Sequence, residues 1–380
     1  MNKSLVIVQD VPTQFDAPLY NQISLEGPYS LFVIYTKVAT LDPEIGRLPH
    51  WDHIEQHCYD HHFLDNTERG NVENVVQKIL KRSPDHVIVS GYWPKLHRDV
   101  MKVMVKKGIS VGLRSDNTIH HSKLSGVRGF VKKLFLRSLL GQYDMWHPAG
   151  DQAADYLKLL SGEQRPISLF PYNVDNQWFR ACAQKSRGDR AASMSEIGFP
   201  QDCYIILGIM KWAEREDPMT LMRAFEKYQA HNASARLILI GDGPLRVEVE
   251  EYANRLKGLV YLPGYMKYSR LPGWYGLADV FVHPAPDEPW GVSVNEALAS
   301  GVPVIASTGV GAALELVSQG FNGSIFKEGD DLSLVTALKE WFSVASSISS
   351  VELEQRCRHA LHDWGYETTI QSFQEFLKND

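Results

Sequence analysis

Residues 279–307 are the part of this chain with the least freedom in how they can fold. Asp279-Val-Phe-Val-His283 is an apolar run of strand length. Pro284 to Trp290 reads as a loop, Gly291 opens a helical segment near Val292, and a glycine turn at Gly301 leads into a second apolar run, Val302 to Ala306. Strand, glycine loop, helix, glycine turn and strand belong to an open α/β sheet, which binds ligands beyond the carboxyl ends of its strands. Gly291 lets the backbone come close to a ligand, and the helix that follows offers unpaired N–H groups and the positive end of its dipole, where phosphates sit. A carboxylate stands on each side of that helix end. Glu288 on the loop is placed to reach a group beyond the phosphate, and Glu296, about one turn into the helix, sits deeper and is placed to bind hydroxyls. The arrangement suits a diphosphate flanked by two sugars; the bland alternative is a pair of solvated surface glutamates.

Strand and helix signals alternate along the whole chain, which argues for two doubly wound α/β halves. The first half has apolar runs at Leu5–Val8, Leu31–Tyr35, His86–Val89 and Ser110–Leu113, with helical patterning at Val72–Lys81 and Lys95–Lys107. Pro166 to Phe179 reads as a final strand and crossover, and the polar stretch Gln184 to Ser195 as a loop or linker. The second half restarts at Tyr204–Met210 and continues through Arg236–Ile240, Val260–Leu262, Val280–His283 and Val302–Ala306. At 380 residues the chain exceeds what one core usually supports, so two domains are expected.

No apolar run reaches the roughly 18 residues of a membrane span, and the start enters a strand directly, without the pattern of a signal peptide. Cys58, Cys182, Cys203 and Cys357 form no Cys-x-x-Cys pair and read as reduced thiols of a cytoplasmic protein. His53, His57, His61 and His62 lack a cysteine or carboxylate cluster that would complete a metal site. Charge is uneven. The chain carries −6 overall, yet residues 95–140 hold eleven Lys or Arg and only Asp99 and Asp116 as acids. Such a face points to an anionic partner. Within it Val127, Phe130, Val131, Leu134 and Phe135 fall on one side of a helix, with Arg128, Lys132 and Lys133 on the other. Either that helix lies on anionic lipid or it is a core helix with a solvated face.

The Glu288-x7-Glu296 block, set between Ala278-Asp279-Val280 and Ala299-Ser-Gly-Val-Pro-Val304, resembles the signature of retaining GT-B glycosyltransferases of family 4. The likeness covers nearly the whole chain and is stronger in the second half. It implies a GT-B fold, α/β, with two doubly wound Rossmann-like domains facing across a cleft. Residues 1–180 would form the acceptor-side domain, joined by a returning helix at 362–380, and residues 181–361 the nucleotide-sugar-binding domain. Gly241-Asp-Gly243-Pro244 is similar to the family's loop near the nucleotide, and Leu262-Pro-Gly-Tyr265 with Met266 to the segment against which the base rests. Trp290, Gly291, Val292 and Ser293 would complete the donor site, with Glu296 on the ribose. Met210 to Pro218 resembles the loop that supplies two basic side chains to the donor diphosphate. Lys211 fits the first; at the second stands Glu216, with Arg215 one place earlier.

In the first half, Pro12 to Tyr20 resembles the loop after the first strand that meets donor and acceptor, which places Gln14 and Phe15 at the cleft. Leu113-Arg-Ser-Asp116-Asn-Thr-Ile-His120-His121 follows a strand end, where the family often puts a histidine near the transferred sugar. The catalytic set implied is Glu288, Lys211, Arg215 and His120; solvated loop histidines are the plain alternative for His120 and His121. No Asp-x-Asp occurs, in keeping with a family that stabilises the leaving diphosphate without a metal or other cofactor. The resemblance implies a retaining, metal-independent transferase in cell-surface polysaccharide or glycolipid synthesis, cytoplasmic or peripheral on the inner face of the membrane. Its partners would be a nucleotide-sugar donor and a glycan or lipid-linked acceptor, with no nucleic acid. A glycoside hydrolase, a GT-B phosphorylase or epimerase, and a non-catalytic nucleotide- or glycan-binding subunit remain the alternatives.

Overall fold

The computed structural model describes residues 3–27, 29–38, 58–122 and 124–378. His53 and His57 lie outside the described residues. The described residues divide into two compact units, one within 3–38, 58–173 and 366–378, the other 174–365.

The first unit is built on six parallel strands: β1 (Lys3–Gln9), β2 (Tyr29–Tyr35), β3 (Asp60–Phe63), β4 (His86–Ser90), β5 (Ser110–Ser115) and β6 (Met145–Pro148). They lie in the order β3-β2-β1-β4-β5-β6, with Val6 opposite both Phe32 and Val87. Such a sheet is covered on both faces, so its strands read as unbroken apolar runs rather than alternating ones. Val6, Val8, Val87 and Val89 pack with Met101, Met104, Leu136 and Leu140 on one face. Leu5, Ile7, Leu31 and Val33 pack with Leu19, Tyr20 and Ile23 on the other. Each fully buried side chain of this kind contributes about 1.5–3 kcal/mol.

That second face is closed by the end of the chain. The helix Tyr366–Lys378 brings Phe373 against Phe170 and His147, with ring centroids 4.9 and 5.7 Å apart. Asn173 Nδ2 donates to Thr369 Oγ1 at 2.6 Å, and the hydroxyls of Ser168 and Ser372 meet at 2.8 Å.

The second unit repeats the plan with β7 (Tyr204–Ile209), β8 (Ala235–Ile240), β9 (Val260–Gly264), β10 (Val280–His283), β11 (Val304–Ser307) and β12 (Gly323–Phe326). Their order, β12-β11-β10-β7-β8-β9, is the same doubly wound one in which the first strand of the unit neighbours its second and its fourth. The switch point lies between β7 and β10, where loops leaving the two carboxyl ends part to opposite sides and open a crevice.

Three strands escape the sequence reading. β3 is the polar edge segment Asp-His-His-Phe, while β6 and β12 are four residues each, too short to show a period. Pro166–Phe179 is not a strand: only Ile167 makes a bridge, to Trp146, and a helix begins at Asn176. The polar stretch Gln184–Ser195 is no loop either, but lies in the helices Asn176–Gly188 and Arg190–Glu196, anchored by buried Phe179, Ala183 and Met194. Among the described residues no helix is long and apolar enough to cross a membrane. All four cysteines are free thiols.

Candidate functional site

The loops at the switch point of the second unit are held by backbone bonds rather than left to their side chains. After β7, Trp212 N–H donates to the Asp242 carbonyl at 2.9 Å and Leu245 N–H to the Trp212 carbonyl at 2.8 Å. Two glycines make this approach possible. A Cβ on Gly241 would lie 1.9 Å from the Met210 carbonyl oxygen, and one on Gly243 would lie 2.5 Å from that of Trp212. Sequence resemblance puts both glycines beside the nucleotide; the structure shows them spacing the loop that carries Lys211. Tyr265 and Met266 follow β9, half-buried, one strand further out.

The loop after β10 is laced to the one after β11. Glu288 N–H donates to the Gly309 carbonyl at 2.9 Å, and the Glu288 carbonyl accepts from Gly311 N–H at 3.0 Å. Ala312 N–H donates to the Trp290 carbonyl at 2.7 Å. Glu288 therefore sits on a fixed backbone. Gly291 has φ +90, in the left-handed region, and caps the helix Val292–Ala299, whose first residues Val292 and Ser293 are partly exposed. A Cβ there would also press on Val310 at 2.9 Å and the His283 ring at 3.3 Å.

Three charged groups meet at the switch point. Arg215 donates to Glu288 Oε2 at 2.6 Å and to Glu216 Oε1 at 3.1 Å. The other Glu216 oxygen accepts the Lys211 backbone N–H at 2.7 Å. Burial, reinforced by Glu288, pushes the Glu216 carboxyl up to about 7. Glu216 is thus turned inward as a brace between Lys211 and Arg215, and Arg215 is the guanidinium that reaches the loop of Glu288. The next residue, Asp217, takes φ +47 and caps the helix Pro218–Gln229 by accepting Thr220 N–H at 3.0 Å.

Two further residues of the expected donor site are buried. Trp290 is buried: its Nε1–H donates to Asn295 Oδ1 at 3.0 Å and its ring packs on Trp364 at 5.1 Å, so its side chain anchors the loop. Glu296 does not share a bond or ion pair with Glu288. It is buried and accepts from Tyr275 Oη at 2.8 Å and also from Tyr268. Burial pushes its carboxyl up to about 7 against those two hydrogen bonds.

Sequence reasoning missed His283 as a site residue. It ends β10 fully buried, and neither ring nitrogen has a hydrogen-bond partner among the described residues. Burial holds it down at about 4, so the ring is neutral, with Glu288 and Arg215 acting on it in opposite directions. Its place at a strand end beside Gly291 was the available signal.

The first unit has its own polar cluster at the ends of β1 and β5. Arg114 donates to Asp16 at 2.7 Å, both buried, and its guanidinium lies 3.8 Å over the Phe170 ring and 5.0 Å from Tyr172. Tyr172 donates to Asp116 at 2.8 Å and meets Phe15 edge-on at 4.7 Å. Phe15 and Asp116 are thus brought together, and Gln14 lies half-buried beside Phe15. His120 is exposed, with its ring 5.0 Å from His121; it is His121 that Thr118 orients, at 2.6 Å. His61 and His62 lie on β3, where His62 meets Glu68 at 2.9 Å. Among the described residues no three His, Cys, Asp or Glu side chains gather as metal ligands.

Residues 189–360 match the family model of the glycosyl transferases group 1. The chain carries a glycosyl transferases group 1 domain. That domain spans all six strands of the second sheet together with Lys211, Arg215, Glu288 and Glu296. D-inositol 3-phosphate glycosyltransferase 2 of Catenulispora acidiphila is 25% identical over 198 residues, 49% of this chain and 45% of its own. The alpha-monoglucosyldiacylglycerol synthase of Acholeplasma laidlawii is 26% identical over 168 residues, 44% of this chain and 42% of its own. The alignments thus span less than half the length of these curated relatives. Among solved structures, Anabaena HepE in complex with UDP is similar with a TM-score of 0.74 at 14% identity, covering 99% of this chain and 100% of that one. Sucrose-phosphate synthase from Thermosynechococcus elongatus is similar with a TM-score of 0.71 at 17% identity, covering 99% and 98%. Around the glycosyl transferases group 1 domain, therefore, the fold of the whole chain is GT-B.

Proposed function

We propose that this chain transfers a glycosyl group from a nucleoside diphosphate sugar to a glycan or lipid-linked acceptor, with retention at the anomeric carbon and without a metal. The observation that carries the reading is the pairing of Arg215, on a loop whose Lys211 N–H is braced by Glu216, with Glu288, three residues before the helix cap Gly291. Departure of the diphosphate breaks the bond from C1 to the phosphate oxygen and leaves charge on that oxygen. Fixed cations and backbone N–H groups aimed there lower the barrier. Arg215 and Lys211 would supply the charge and the first turn of the Val292–Ala299 helix the N–H groups. Glu288 would hold hydroxyls of the transferred sugar and steady a ring that gains positive character. The acceptor hydroxyl would form the new bond on the face the diphosphate leaves, its proton passing to the departing phosphate oxygen. Glu296, steadied by Tyr275, would anchor the ribose; His283 offers a neutral imidazole to the sugar side of the loop. Exclusion of water would favour the acceptor over hydrolysis.

The test is turnover of UDP-, GDP-, ADP- and TDP-sugars without added metal, with the anomer of the product read by NMR. Release of one nucleoside diphosphate, lost in Glu288→Gln, is the expected result. An inverted product or a metal requirement would overturn the corresponding part of the reading.

A second reading is favoured by one observation: Arg215 is already held by two carboxylates, Glu288 and Glu216. In a non-catalytic binding subunit that cluster would be a permanent structural brace. Nucleotide binding without turnover of any donor would select it.

A further inference from the structure

The helix Gly126–Leu140 turns toward solvent the side that a core helix would hide. Gly129, Leu136, Leu139 and Leu140 are its buried residues. Val127, Phe130, Val131, Leu134 and Phe135 are 82, 61, 59, 55 and 48% exposed. At about 100° per residue these five fall on one stripe, diametrically opposite the buried set. Arg128 and Lys132 border that stripe on one side, and Lys133 and Arg137 on the other. The helix spans 15 residues, about 22 Å, and its acids number none. Beside it Trp93 is 52% exposed and lies 5.5 Å under the Lys132 ammonium, which extends the surface with an aromatic ring.

We propose that this helix docks the protein on an anionic lipid bilayer, lying in the plane of the interface. The inference rests on the reading of a lipid-linked acceptor and names the surface that would meet its membrane. An apolar stripe of this width exposed on a single chain marks an interaction surface. The chemistry of its borders selects the occupant. A protein interface depletes lysine and charge toward its core, whereas an interfacial helix needs apolar residues flanked by Lys and Arg whose heads stay with the phosphates while the stripe sinks about 5–10 Å. The surplus of basic over acidic residues in the 95–140 segment, in a chain of net charge −6, supplies the electrostatic part.

The experiment is co-sedimentation of the full chain with vesicles of phosphatidylglycerol and phosphatidylcholine, against phosphatidylcholine alone. Binding to the anionic vesicles is expected to be at least tenfold stronger and to fall as salt is raised. Phe130→Ser with Leu134→Ser should weaken it tenfold or more at every salt concentration. Arg128→Glu with Lys133→Glu should remove the preference for anionic lipid. All four positions face solvent, and the melting shift on adding UDP reports on the proposed nucleotide site of the second unit. Vesicle binding lost with the UDP shift kept supports the surface; UDP binding absent with vesicle binding intact sinks the transferase reading alone. Equal binding by wild type and the Phe130/Leu134 double variant would overturn the inference. So would a concentration-dependent dimer that the double variant dissolves, since the stripe would then cover a second copy.

Discussion

Arg215 bridges Glu288 and Glu216 with two donors of one guanidinium, at 2.6 and 3.1 Å. A diphosphate entering the switch point must compete with both carboxylates for that cation. Glu288→Gln removes one competitor and one like-charged neighbour. It should tighten UDP binding by up to about tenfold, roughly 1.4 kcal/mol, while lowering donor turnover on the order of 10²-fold. Calorimetric titration beside a turnover assay checks this; weaker UDP binding in the variant would show that Glu288 holds Arg215 in its binding pose.

Glu216 gives the site a pH dependence. Its carboxyl is raised in the folded protein to about 7, so between the ordinary carboxylate range and that value the folded state holds a proton the unfolded state lacks. Stability from this group is full below about pH 4 and is lost as pH rises through about 7. Each deprotonated molecule also sets a second carboxylate anion, beside Glu288, at the proposed diphosphate site. UDP affinity should therefore fall between pH 6 and 8, by about tenfold at most. Glu216→Gln should flatten both profiles, as read by thermal melts with and without UDP.

Tyr275→Phe leaves the buried Glu296 carboxylate with one hydroxyl partner fewer. A loss of about 1–3 kcal/mol is expected, greater at pH 8 than at pH 5, because protonation relieves the unpaired charge. Denaturant midpoints at the two pH values decide it.

Gly243→Ala pushes a methyl group into the Trp212 backbone, which lies 2.5 Å from where its Cβ would be. The β8 loop must then move off the loop carrying Lys211. Overpacking of this kind costs about 1–3 kcal/mol, and turnover should drop further than stability does. A variant equally stable and equally active would show that the two loops need not touch.

Arg114→Met strands the buried Asp16 carboxylate. Breaking a buried pair from one side typically costs about 3–5 kcal/mol. The Asp16→Asn, Arg114→Met double variant should recover part of that loss, a coupling visible in a double-mutant cycle.

Much of the fold could be read in advance because parallel strands buried on both faces leave unbroken apolar runs, as at Leu5–Val8 and Val280–His283. The edge strand Asp60–Phe63 carries too little apolar surface to show, and the polar Gln184–Ser195 stretch lies in two helices that together bury only Phe179, Ala183 and Met194. At the site, spacing located Glu288 and the glycine-capped helix. It did not show that Trp290 turns inward to Trp364, nor that Tyr268 and Tyr275 enclose Glu296, since both depend on side chains brought together from distant turns. The Val127–Phe135 stripe left two opposite readings open. Periodicity shows that a helix has two faces; only the neighbours decide which one is covered.

Asn173 and Thr369 are bonded partners separated by almost two hundred residues, and all six strands of the second sheet are threaded between them. The first unit is thus first to be translated and last to be finished. At about 5–20 residues per second, a ribosome needs roughly 10–40 s after Asn173 emerges before the helix bearing Phe373 can cover Phe170. Through that interval one apolar face of the first sheet waits for its lid, while the six strands of the second sheet follow one another without interruption. The unit begun first in synthesis is therefore the one completed last.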